Sequence, residues 1–161
     1  MERPIRRPEE ILAYRPLRQV LASKPKDLWT VGPGDSVMAA LRIMAEKDIG
    51  LVVVMEQGKM IGVLSERDCA RRVASTAQSL DAVTVADVMV RNVVSVDSAR
   101  TFADCLKLMH QHGVRHLPVV DGGSVVAVVS IRDLLSEAVA HHQRIIAELE
   151  RERLTIFTST A

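Results

Sequence analysis

Two short runs of the chain set the same side chains in the same order after an apolar stretch. VLSERDCARRV begins at Val63 and VVSIRDLLSEA at Val128. Each holds Ser-x-Arg-Asp: Ser65, Arg67 and Asp68, then Ser130, Arg132 and Asp133. A hydroxyl, a guanidinium and a short carboxylate so close together support two readings. As plain structure, a Ser at a helix N-cap with an acidic residue three positions on is a relative of the capping box, worth roughly 1 kcal/mol. As chemistry, a helix N-terminus offers free N–H groups and a positive dipole end to phosphate. The Arg adds a cation there, with Arg71 and Arg72 one turn on in the first copy. A short, fixed carboxylate can accept hydrogen bonds from both hydroxyls of a ribose. Aliphatic strand residues beside it can sandwich a purine. The set describes a nucleotide site with apolar walls.

Other chemistries find less support. There is no GxGxxG and no phosphate-loop lysine motif. No nucleophile–base pair or carboxylate pair is spaced for acid–base work, so the expectation is binding and not an enzyme. His110, His112 and His116 form H-x-H-x3-H. Residues i and i+2 on a helix point apart, and His116 falls in an expected strand, so no metal site is expected. His141 and His142 read as solvated positions of a C-terminal helix. Cys69 and Cys105 lie in no CxxC or metal-ligand spacing; Cys105 reads as a small core residue, and a reducing cytoplasm fits best.

Whatever positions the two tetrads must also be duplicated. Ser65 and Ser130 belong to an ungapped register, 65 residues apart, that runs from Thr30–Ala70 against Ser95–Leu135. Val31 meets Val96, Leu41 meets Leu106, Met44 meets Met109, Val54 meets Val119 and Gly58 meets Gly123. Each copy is too small to bury a full core alone, so the two should pack on each other with pseudo-twofold symmetry. Within a copy, a short extended piece (LWTV or VVSV) precedes a helix opened by Asp35-Ser36 or Arg100-Thr101. A β-branched run follows, Ile49–Met55 or Val114–Val120. A Gly turn (EQGK or DGGS) then leads to a second strand, Met60–Leu64 or Val125–Val129, and the tetrad starts a second helix. The fold class is α/β (α+β): two βαββα units with N- and C-terminal helices. The expected division is a basic N-terminal extension over 1–19, repeats over 20–78 and 79–139, and a C-terminal helix and tail over 140–161.

Composition bounds the rest. The 161 residues are 48% hydrophobic and 25% charged, with one Trp, one Tyr and two Phe, so the core is aliphatic. Net charge is +1, which gives no global case for nucleic acid. No apolar run approaches the ~20 residues of a membrane span, and no secretory leader is expected. The first 26 residues carry seven Lys or Arg, read as a solvated extension or short docked helix. The helix from Ile131 to about Leu154 has a surplus apolar stripe, a candidate partner surface or a face packed on its own domain.

The duplicated unit resembles the cystathionine β-synthase (CBS) domain, and the tandem resembles a CBS pair, or Bateman module. The residues that carry this are DLWTVGPGDSVMAALRIMAEKDIGLVVV with GKMIGVLSERD, and ADVMVRNVVSVDSARTFADCLKLMHQHGVRHLPVV with VVAVVSIRD. The likeness covers roughly Val20 to Val139. It implies a sensor that binds AMP or another adenine nucleotide, or NAD(H), with S-adenosylmethionine ranked lower, in two clefts between the repeats. It implies ribose contacts from Asp68 and Asp133, and phosphate contacts from Ser65, Arg67, Ser130 and Arg132. Each cleft would take its adenine wall from the other repeat: Val96, Val114, Arg115, His116 and Pro118 for the Asp68 cleft, and Thr30, Val31, Ile49, Gly50 and Leu51 for the Asp133 cleft. Arg115 and His116 would make the Asp68 cleft the more basic. Pro118 is matched by Val53 in the first copy, so unequal clefts are expected. The resemblance also implies a homodimer, with interface helices near Met38–Met44 and Ala103–Met109, that passes ligand state to an unknown regulated protein. The competing expectation is an adaptor whose tetrads are only caps and whose C-terminal helix binds a partner. An enzyme with an unrecognised site ranks last.

Overall fold

The structure, a computed structural model, describes residues 14–24, 27–75 and 79–159, with side chains as far as Leu154. The expected basic extension therefore lies mostly outside the described residues. In chain order the elements are α1 (Leu17–Ala22), β1 (Thr30–Val31), α2 (Val37–Lys47), β2 (Leu51–Glu56), β3 (Lys59–Ser65) and α3 (Glu66–Ser75). A 3-10 turn (Val85–Asp87) follows, then α4 (Phe102–His112), β4 (His116–Asp121), β5 (Ser124–Ser130) and α5 (Ile131–Ser159). One sheet has the order β1-β2-β3 and the other is the β4-β5 pair.

The 65-residue offset reappears in the pairing itself. β2 and β3 pair antiparallel from Leu51↔Ser65 to Glu56↔Lys59, with a bulge at Val54/Met55. β4 and β5 pair from His116↔Ser130 to Asp121↔Ser124, with a bulge at Val119/Val120. The parallel contact Val31↔Val54 has its counterpart in Val96↔Val119, where the first strand shrinks to a single bridge. Buried apolar residues rich in β-branched Val suit such strands: Leu51, Val52, Val53 and Val54 are all buried in β2.

The helices start and stop where side-chain chemistry directs. Ser36 Oγ accepts from Ala39 N at 3.1 Å, and Thr101 Oγ1 accepts from Asp104 N at 3.1 Å. Asp104 completes a capping box, and the hydrogen bonds from Thr101 hold its carboxyl below the usual carboxylate range. Both helices end on a left-handed residue, Asp48 (φ 50°) and Gly113 (φ 63°). The next amide still bonds back into the helix, Ile49 N to Met44 O and Val114 N to Met109 O, each at 3.0 Å. That turn delays the strands: the one expected from Ile49 begins at Leu51, and the one expected from Val114 begins at His116.

Each repeat has its own core, and the lead-ins cross between them. Val31, Val37, Met44, Val52, Val54 and Leu64 bury with Val83, Val85 and Met89, from the opening segment of the second repeat. Val96, Phe102, Cys105, Met109, Leu117 and Val129 bury with Leu17, which precedes the first. Backbone bonds fasten both exchanges: Val37 N to Val83 O at 2.9 Å, Leu17 N to Arg100 O at 3.1 Å and Arg18 N to Ser98 O at 3.0 Å. A third cluster of Leu51, Val53 and Val63, with Leu28, Val93, Val125 and Val128 against it, joins the two sheets. Cys69 and Cys105 are buried, and burial pushes each thiol up to about 11.

One polar expectation is overturned. His141, read as solvated, is 4% exposed. The segment before α1 crosses the start of α5 and covers it. Tyr14 stacks on Phe102 at 4.2 Å between ring centroids and lies 4.3 Å from the His141 ring. Beside it the buried Glu137 accepts from Arg15 Nε at 3.0 Å and from Arg144 Nη2 at 2.6 Å. These arginines, Arg15 foremost, hold the Glu137 carboxyl below its ordinary range against the opposing effect of burial. His142 stays exposed, as expected.

Candidate functional site

Each tetrad sits where the last strand of its repeat turns into a helix, and each forms a closed capping box. Asp68 Oδ2 accepts from Ser65 N at 3.1 Å and Ser65 Oγ at 2.5 Å, while Ser65 Oγ accepts from Asp68 N at 3.2 Å. Asp133 Oδ2 accepts from Ser130 N at 2.7 Å and Ser130 Oγ at 2.8 Å, while Ser130 Oγ accepts from Asp133 N at 3.2 Å. The cap uses one carboxylate oxygen. Oδ1 of each Asp has no hydrogen-bond partner among the described residues. Capping and ligand contact are thus compatible in one side chain, because they draw on different oxygens.

Both arginines reach across to the other repeat at equivalent points. Arg67 Nη1 donates to Gly113 O at 3.2 Å, and Arg132 Nη1 donates to Asp48 Oδ2 at 3.3 Å. Gly113 and Asp48 are the left-handed ends of α4 and α2. Each tetrad therefore abuts the helix-to-strand corner of the opposite repeat. Within each repeat a backbone bond also seats the tetrad on the start of its own strand: Glu66 N bonds Gly50 O at 3.2 Å, and Ile131 N bonds Arg115 O at 2.8 Å.

On the Asp133 side this junction opens into a cleft of about 1080 Å3. Ser130, Arg132 and Asp133 line it together with Ile49, Gly50 and Leu51 from the first repeat. Leu28, Trp29, Val126 and Val128 add apolar wall, and Lys47 Nζ sits 4.4 Å from the Trp29 ring centroid. Charges alternate around it: Arg18, Lys24, Lys47, Arg115 and Arg132 face Asp27, Asp48, Glu66, Asp121 and Asp133. A concave site with apolar walls and a few convergent polar groups is the usual form of a small-molecule site.

Not every residue expected there arrives. Thr30 and Val31 do not line the cleft, and Val31 is a core residue of the first repeat. Leu28 and Trp29, just upstream, take that wall. Val96 lies in the core of the second repeat and at the rim of a separate outer hollow, and Pro118 is buried in β4. Val114 is half-buried beside Gly113, where Arg67 lands. Arg115 and His116, expected beside Asp68, line the Asp133 cleft. The reason is strand register: His116 pairs with Ser130, which brings it to the tetrad of its own repeat. Its ring then packs on Gly50, where an added Cβ would stand 3.0 Å from His116 Cε1. Burial lowers the His116 pKa from its ordinary value.

Two contributors escaped the pattern of the sequence. Trp29 is the only Trp of the chain and precedes the short first strand. Lys24 Nζ pairs with Asp133 Oδ2 at 2.5 Å and donates to Val128 O at 3.1 Å. Burial raises the Asp133 pKa, and the bonds from Lys24 and Ser130 outweigh it and hold the carboxyl below the usual range. Under the repeat offset Lys24 corresponds to Met89, and among the described residues no lysine or arginine side chain bonds Asp68.

The family model for the CBS domain matches this chain twice, over residues 18–75 and 85–140. The chain belongs to the CBS-domain family. Among curated relatives, the CBS domain-containing protein YhcV of Bacillus subtilis is 38% identical over 106 residues, 65% of this chain and 74% of YhcV. Other relatives are longer: the match spans 57% of protein MK0525 of Methanopyrus kandleri and 21% of the CBS domain-containing protein CBSCBSPB1 of Arabidopsis thaliana. The CBS-domain containing protein ATU1752 of Agrobacterium tumefaciens superimposes with a TM-score of 0.72 at 30% identity, covering 74% of this chain and 96% of that one. The CBS domain pair of protein MJ0100, solved with 5′-methylthioadenosine and S-adenosyl-L-methionine, gives a TM-score of 0.66 at 21% identity, covering 76% and 98% of the two chains. No helix among the described residues of this CBS pair is long and apolar enough to cross a membrane.

Proposed function

We propose that this CBS pair is a non-catalytic regulatory module that binds an adenosine-containing ligand between its repeats. AMP or another adenine nucleotide is the first choice and NAD(H) the second, with S-adenosylmethionine below them. The observation that carries this is the free Oδ1 of each tetrad Asp, held by its cap at the corner of the opposite repeat. Asp133 lines a cleft large enough for a nucleotide, with an indole ring in its wall. The MJ0100 pair, solved with two adenosine derivatives, supports the ligand class. In this reading Asp68 and Asp133 take ribose hydroxyls, and Ser65, Arg67, Ser130 and Arg132 face phosphate. A ligand touching both repeats favours one relative arrangement of them, and that shift is what a partner protein reads. We place the protein in the cytoplasm and expect a homodimer through α2 and α4. The hexameric CBS-CP12 protein of bloom-forming cyanobacteria, a structural neighbour, supports assembly of such pairs.

The sole tryptophan gives a local readout. Titration with AMP, ADP, ATP, NAD, NADH and S-adenosylmethionine should change Trp29 fluorescence saturably, and a ligand at 100 times its Kd should add about 2.7 kcal/mol of stability. Silence in both fluorescence and melting temperature, on folded protein, would sink the reading. The adaptor reading retains one favourable observation: Leu135, Val139, Ile146, Leu149 and Leu154 are each more than half exposed along α5. It predicts that silence, together with partner capture abolished by Ile146→Asp and Leu149→Asp.

A further inference from the structure

The two tetrads match atom for atom in their caps and differ in what donates to the carboxylate beyond the cap. Lys24, at the end of α1, lays its ammonium on Asp133 Oδ2 at 2.5 Å and on Val128 O at 3.1 Å. With Ser130 N and Ser130 Oγ, that oxygen takes three donors, while its equivalent on Asp68 takes two. Met89 holds the corresponding place in the other half and is buried, with its sulfur against Gly62. The Lys24–Asp133 pair is mostly shielded, with side chains 31% and 19% exposed. A vicinal diol needs both carboxylate oxygens to donate two hydrogen bonds. Each cap already sets two donors on Oδ2, so the second hydroxyl must share that oxygen; at Asp133 the ammonium is a third donor there, and the diol must either settle for one bond or move it.

We propose that Lys24 is a tethered occupant of the Asp133 cleft, which a ribose-bearing ligand must displace, and that this tie weakens ribose binding there. The proposal rests on the ligand-binding reading above. Its consequence reaches beyond the cleft. α1 belongs to the chain segment of the first repeat but is fastened to the second through Leu17 and Arg18 backbone bonds and through Lys24. A ligand that takes Asp133 removes the Lys24 tie just past the C-terminal end of α1, so occupancy of the cleft is felt by the lead-in helix.

The test compares Lys24→Met, which copies the residue of the other half, with Arg18→Met, which removes the same charge from the same cleft. Adenosine and AMP are titrated while Trp29 fluorescence is read, so that only the Asp133 cleft reports. Loss of a cation should by simple electrostatics weaken AMP. The proposal predicts the opposite sign for Lys24→Met: both ligands bind roughly three- to ten-fold tighter, the scale of one partly shielded charged hydrogen bond. Arg18→Met should not tighten either. Unchanged or weaker binding in Lys24→Met overturns the proposal while leaving the ligand reading intact. A second arm needs no ligand. Reductive methylation followed by peptide mass spectrometry should label Lys24 several-fold faster in Asp133→Asn than in wild type, with Lys59 as internal reference. Equal rates overturn the proposal even if no adenosine ligand binds, an outcome that would defeat the binding reading on its own account.

Discussion

Gly62→Ala tests how the lead-in of the second repeat is seated on the first. Gly62 lies in β3, where an added Cβ would stand 2.8 Å from Met89 Sδ and 2.9 Å from Val90 O. The methionine can swing away, but the carbonyl is pinned. Val63 N donates to Val90 O at 3.0 Å and Val90 N donates to Val63 O at 2.9 Å. Relief to ordinary carbon contact needs a shift of about half an ångström, through a two-bond bridge. Overpacking of this kind costs about 1–3 kcal/mol. Reduced freedom of the unfolded chain returns about 0.4–1 kcal/mol, since the position carries no positive φ. The net loss is about 1–2 kcal/mol, a fall of roughly 2–8 °C in melting temperature for a chain of this size. Thermal unfolding by circular dichroism, with urea unfolding to check that the m-value is constant, measures it. The second repeat supplies the control: its equivalent is Ala127, half-buried in β5. An unchanged or raised melting temperature would refute the pinned contact, and with it the crossed packing of the lead-ins.

Three further outcomes follow from single contacts. Ser65→Ala and Ser130→Ala should each lose about 1 kcal/mol in urea unfolding, because each deletes the hydroxyl of one capping box. Glu137→Ala frees Arg15 and should speed chymotryptic cleavage after Tyr14, the only tyrosine, in limited proteolysis. In the wild type the contribution of Glu137 is complete above its unfolded pKa near 4.5 and is lost as pH falls through its lower folded value, so acid should shrink the difference between the two proteins. Cys69 and Cys105, with thiols raised to about 11, should resist a thiol reagent at pH 8 in the native state and react together on unfolding.

The offset of the repeat was legible because pairing register is inherited with the sequence. Val54 against Val119 foretold not only two equal sheets but two equal bulges. The caps at Ser36, Thr101, Ser65 and Ser130 were legible because capping is local. What the sequence hid is what crosses between copies. His141 looks solvated on its own helix, yet it is buried, with Tyr14 from the far end of the chain against its ring. Arg115 and His116 follow a residue-by-residue rule less well than a geometric one, since pairing with Ser130 turns His116 toward its own tetrad. Lys24 reads as one more cation in a basic stretch, although its misfit with Met89 under the offset was the available signal. Trp29 marks the cleft for a similar reason: one large aromatic in an aliphatic protein has to be placed somewhere specific.

The most direct test of the account is isothermal titration of AMP into wild type, Asp68→Asn, Asp133→Asn and the double variant, each confirmed folded by circular dichroism. Asn keeps an oxygen for the cap and removes the carboxylate charge. The account predicts that each single variant loses one class of sites and that the double variant takes up no AMP. AMP bound by the double variant with the stoichiometry and affinity of wild type would contradict it, and would leave the two Ser-x-Arg-Asp boxes as helix caps alone.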